Sequence, residues 1–177
     1  GSEMCIRDSY ASMGVDAADF WAQYDHMYIP ELGHNVSVTD YAHTLYIRAS
    51  WTDFNPQEDV YGWKFDSNLR AYIEGAYQRN MRLAFRVVVD SRDKRTEFTP
   101  QFVKDAGAKG FMNKGKWSPY SDDSVFQKYY TKFVKALAKD FNDPSKVEFI
   151  DGFGLGKWGE YHTMICLLYT SDAADEL

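Results

Sequence analysis

The chain has 177 residues, 45% of them hydrophobic and 17% aromatic, with 20 basic against 26 acidic side chains for a formal charge of −6. That balance offers no basic excess for nucleic acid, and no apolar run of about 18 residues suggests a membrane span. Its cysteines are Cys5 and Cys166, one near each end, and they form neither a disulfide framework nor a thiolate metal motif.

In chain order, residues 16–28 place Phe20, Tyr24, Met27 and Tyr28 at helical spacing. Asp16 is positioned to cap this helix, and Ile29-Pro30 to end it. Residues 31–40 read as loop, and His26, His34 and His43 lack metal-ligand spacing. Residues 44–51 alternate strictly, with Leu45, Ile47 and Ala49 on one side and Tyr46, Arg48 and Ser50 on the other. This is a strand pattern. An arginine on such a strand needs a carboxylate partner or a polar site at the strand's end.

Residues 67–80 read as an amphipathic helix capped by Ser67, and 82–90 (RLAFRVVVD) as a second strand closing on Asp90. Strand, helix and strand predict a parallel βαβ unit. The connection 91–122 is long. Within it, Thr99-Pro100 opens a helical turn that Gly107 ends, and a glycine-punctuated loop carries Lys114, Lys116, Trp117 and Tyr120. Residues 123–141 are the strongest helix, with Phe126, Tyr129, Tyr130, Phe133, Val134, Leu137 and Phe141 in one stripe and lysines largely opposite.

A third strand opens at Val147 and breaks into a loop holding Gly152, Gly154, Gly156 and Gly159. The loop delivers Glu160 between Trp158 and His162. A carboxylate after a strand, walled by aromatic and imidazole groups, is one way βα enzymes present a catalytic group. A βα turn with a solvated glutamate is the plain alternative.

Two resemblances organise these elements. Residues 1–9 (GSEMCIRDS) and 165–177 (ending CLLYTSDAADEL) resemble sequencing-library adapters translated in frame. Setting them aside leaves 10–164 as the expected domain, with 19 basic and 21 acidic residues and a charge near −2. The segment YIRASWTDFNPQEDVYGWKFD is similar to the second-strand region of clan A glycoside hydrolases: Arg48, Trp51, Pro56 and Tyr61 match, and Asp59 stands where glycine is usual. GLGKWGEYH resembles their fourth-strand end, and is especially like a bacterial group with a G-x-W-G-E-x-H signature.

The resemblance implies a partial (β/α)8 TIM barrel, α/β in class, covering roughly strands two to four with their helices. It implies a carbohydrate substrate, no cofactor and no metal. Glu160 is then the general acid/base of a two-carboxylate, retaining mechanism, and Arg48 orients a nucleophile supplied from outside the segment. Trp51, Asp90, Trp117, Trp158 and His162 would contact the sugar. Arg48, Asp90 and Glu160 are expected at one end of a parallel sheet, and the chain alone is expected to lack turnover. Gly159 occupies the position where clan A usually has asparagine, and Asp151 is a weaker candidate acid. A carbohydrate-binding barrel without catalysis and a structural βα protein are the alternatives.

Overall fold

A computed structural model describes residues 15–90, 97–113, 115–152, 154–156 and 159–160. The adapter-like ends, Lys114, Trp158 and His162 lie outside the described residues.

Helix α1 (Ala17–Asp25) starts where the Asp16 carboxylate accepts the Ala18 amide at 2.8 Å. It is shorter than the periodicity predicts, because Met27 and Tyr28 leave it for a small antiparallel pair, β1 (Met27–Ile29) and β2 (His34–Val36). A single 3-10 turn (Val38–Asp40) leads to β3 (Thr44–Ser50), followed by the one-turn helices α2 (Trp51–Phe54) and α3 (Gly62–Phe65). Helix α4 (Ser67–Gln78) is capped by Asp66, which accepts the Leu69 amide at 2.8 Å; Ser67, the expected cap, is its first residue.

Strand β4 (Arg82–Val88) pairs parallel to β3 in unbroken register from Thr44↔Arg82 to Ser50↔Val88. After it come α5 (Gln101–Asp105), then β5 (Gly110–Asn113) and β6 (Lys116–Pro119). The last two form an antiparallel hairpin where the sequence reads as loop. Helix α6 (Ser124–Phe141), capped by Asp123, leads to β7 (Val147–Ile150), which pairs parallel to β4 with a bulge between Leu83 and Ala84.

The parallel arrangement follows from the helical crossovers, as the sequence predicts. The partial (β/α)8 barrel does not form. The chain is a small mixed α/β domain with three separate small sheets: an open three-stranded parallel sheet in the order β3-β4-β7, and two two-stranded antiparallel pairs. Barrel closure needs every strand paired on both sides. Among the described residues only β4 is, and the two extra pairs are made instead by residues expected to be helix (Met27 and Tyr28) or loop (β2, β5 and β6).

One sheet face is apolar throughout: Leu45, Ile47 and Ala49, then Leu83, Phe85 and Val87, then Val147, all buried. They join Leu69, Ile73 and Ala76 of α4 and Phe126, Phe133, Leu137 and Phe141 of α6 in one core. Trp51, fully buried, meets Phe126 and Tyr130 edge to face at 6.0 and 5.2 Å. Alternation along each strand sends the intervening side chains to the opposite face, and that face holds the charges.

Candidate functional site

The second face carries Tyr46, Arg48 and Ser50 from β3 and Arg82, Ala84, Arg86 and Val88 from β4. Register puts Arg48 directly across from Arg86. Like charges opposite one another on neighbouring strands repel, so this pair requires carboxylates close by. The chain after β7 supplies them.

The Asp151 amide donates to the Phe85 carbonyl at 2.8 Å, carrying the β4–β7 ladder one residue past the strand. Its carboxylate turns to Arg86: Nε donates to Asp151 Oδ2 at 2.7 Å, and Nη2 pairs with the same oxygen. The loop then returns across the end of β4, where the Val89 amide donates to the Gly154 carbonyl at 2.9 Å. Gly154 sits so close that a Cβ would lie 2.3 Å from the Val87 carbonyl oxygen and 2.8 Å from the Tyr130 hydroxyl. Gly159, at φ +70°, rests against Val88 and the Arg86 stem. It hands on to Glu160, whose Oε1 accepts from Arg86 Nη1 at 3.2 Å.

One guanidinium therefore serves two carboxylates. The side chains become more exposed in sequence: Asp151 13%, Arg86 20% and Glu160 43%. Burial works against the charged guanidinium, but the bond it donates to Asp151, with Tyr46 and Glu160 nearby, holds its pKa above the usual arginine value. Tyr130, partly buried beneath the loop with Asp151 close, is pushed up to about 12 by the loss of solvent around its hydroxyl. The Tyr46 ring lies under the Arg86 guanidinium at 6.0 Å and beside the half-exposed Phe149 ring, also at 6.0 Å. The face can accept hydrogen bonds, donate them from a planar cation, and offer an aromatic surface.

The residues singled out in the sequence divide. Glu160 lies on this face with Arg86, and Arg48 is one strand away, half-buried and itself engaged. Asp90 is buried just beyond β4, where Ser118 Oγ donates to its Oδ1 at 3.0 Å and so fastens the β5–β6 hairpin. Trp51 is 0% exposed and sits inside the core. Trp117 is 6% exposed, against Gly110 and under the Lys104 ammonium at 5.6 Å. Both indoles are packing residues in this fold.

Arg86, Tyr46 and Phe149 escaped sequence reading, and Asp151 was only a weaker acid. The available signal was Arg86 itself, a charge in mid-strand between Phe85 and Val87, which poses the same pairing question as Arg48.

Among the described residues no cluster of three or more histidine, cysteine, aspartate or glutamate side chains could hold a metal, and no helix is long and apolar enough to cross a membrane. A concavity of about 340 Å³ is lined by Phe141, Asn142, Asp143, Pro144, Val147 and Ile150, and shares no residue with the charged group. Against family models and curated proteins, the chain finds no match.

Proposed function

We propose that this chain is part of a glycoside hydrolase that binds carbohydrate on the charged face of its parallel sheet, with Glu160 as general acid/base. The observation that carries the reading is the Glu160 carboxylate, 43% exposed, held by Arg86 beside the Tyr46 and Phe149 rings. A sugar offers hydroxyls that bond to carboxylates and guanidinium nitrogens, and an apolar ring face that suits an aromatic floor. A carboxylic acid beside the glycosidic oxygen protonates the leaving group, and the second carboxylate of such enzymes works from the other side of the ring. Asp151 is taken up by Arg86 at two nitrogens, so its part is to hold the guanidinium. The resemblance of YIRASW and GLGKWGEYH to clan A segments supports the same chemistry.

A binding protein without catalysis is the second reading, and the bond that already occupies Glu160 Oε1 favours it. One experiment with two arms separates them. Saccharide titration of the chain followed by NMR should move Tyr46, Arg86, Phe149 and Glu160 in either case. In the enzyme carrying this segment, Glu160→Gln should lower turnover on poor leaving groups by roughly 10²–10⁴-fold, the range of general acid catalysis. Binding without any such loss leaves the second reading. Saccharides that leave all four residues unmoved remove both.

A further inference from the structure

We infer that Asp151 is a positioning residue: it locks the Arg86 guanidinium, and that guanidinium sets the direction of the Glu160 carboxylate. The inference rests on the proposed role of Glu160 in carbohydrate chemistry, but its structural part stands independently. The three groups form an ordered chain. Asp151 is the most buried, and its backbone is tied to β4 through the 2.8 Å bond to Phe85. Its carboxylate takes Nε at 2.7 Å and Nη2 as well. A guanidinium is planar and rigid. Fixing two of its nitrogens therefore fixes where the third points, and Nη1 points at Glu160 Oε1, 3.2 Å away.

The backbone reinforces this. Gly159 has φ +70°, a conformation that side chains seldom adopt, and a Cβ there would sit 3.6 Å from Arg86 Cδ and 3.4 Å from Val88 Cγ2. The glycine lets the chain cross directly over the arginine stem, which brings Glu160 within reach of Nη1. Glu160, reached by one Arg86 nitrogen and the most exposed of the three, is the end of the chain that meets a ligand. Order thus passes outward from Asp151 to Glu160 and not in reverse.

That asymmetry is testable in the full chain by NMR, reading the Arg86 Nε–Hε resonance and the Glu160 side-chain carboxyl carbon. Asp151→Asn should remove the protected Arg86 Hε signal, move the Glu160 carboxyl resonance, and weaken binding of an oligosaccharide that the wild type binds by roughly tenfold, the loss of a single bond of about 1.4 kcal/mol. Asp151→Glu should recover part of that affinity. Glu160→Gln should leave the Arg86 Hε signal in place. If Asp151→Asn does not fold, the Glu160→Gln result still decides: loss of the Arg86 signal there overturns the ordering. An unmoved Glu160 resonance in folded Asp151→Asn also overturns it. Should the wild type bind no saccharide while the Asp151-dependent shift persists, the positioning is upheld and the carbohydrate reading fails alone.

Discussion

Replacing Gly154 by alanine would put a methyl group into space that the end of β4 already fills. Its Cβ would lie 2.3 Å from the Val87 carbonyl oxygen, a backbone atom that cannot rotate aside, and 2.8 Å from the Tyr130 hydroxyl of a side chain packed in the core. Overpacking of this kind costs roughly 1–3 kcal/mol. Relief by lifting the loop would break the 2.9 Å bond from the Val89 amide to Gly154, worth about 1 kcal/mol. A loss of about 3 kcal/mol lowers the Tm of a domain this size by about 6–12 °C. Gly152→Ala makes the same chemical change two residues earlier, where a Cβ would meet nothing within 4 Å. There the stiffer unfolded chain leaves stability unchanged or raises it by about 0.4–1 kcal/mol. Thermal melts of the two variants by circular dichroism give the comparison. Equal Tm values would refute the packing of this loop against β4, and with it the placement of Glu160.

Two further perturbations address the frame. Arg79 holds the Asp25 carboxyl below the usual range through their side-chain hydrogen bond, against burial, which pushes the other way. The unfolded chain therefore takes up that proton first, so the stabilisation is present above about pH 4 and is lost as pH falls through the folded value. Asp25→Asn should cost about 1 kcal/mol or less at neutral pH and flatten the acid limb of a stability-against-pH curve; an unaltered limb contradicts the pairing. Phe133, 1% exposed among the rings of Trp51, Phe54, Trp63 and Tyr130, should cost about 3–5 kcal/mol on truncation to alanine. Urea denaturation measures it, and a loss under about 1 kcal/mol would mean α6 does not carry the core.

Elements with strong periodicity were legible to within a residue or two. Strand β3 shows period two over seven residues and α6 shows a continuous stripe over eighteen; burial follows the pattern in both, except at buried Ser50 and exposed Val134. The hairpin β5–β6 was hidden because GFMNKGKWSP lacks alternation and is rich in turn residues. The barrel expectation failed at a different level. Parallel βα units can be read locally, but closure depends on which strand edges meet, and no single strand records that. At the site, residue type alone misled. Tryptophan suits a core as well as a sugar platform, and the aromatic contacts from α5 and α6 put Trp51 inside. Arg86 was legible in principle. Its two carboxylates, Asp151 and Glu160, were not, because a loop crossing with glycine at 154 and 159 brings them together.

On the proposed reading, carbohydrate is met on the sheet face bearing Glu160. Titrating the isotopically labelled chain with a panel of neutral and acidic oligosaccharides, and mapping the shifted resonances, tests it most directly. Saturable shifts centred on Tyr46, Arg86, Phe149 and Glu160 are the expected result. Shifts confined to the concavity of Phe141, Pro144, Val147 and Ile150, or no saturable shift with any saccharide, would contradict it.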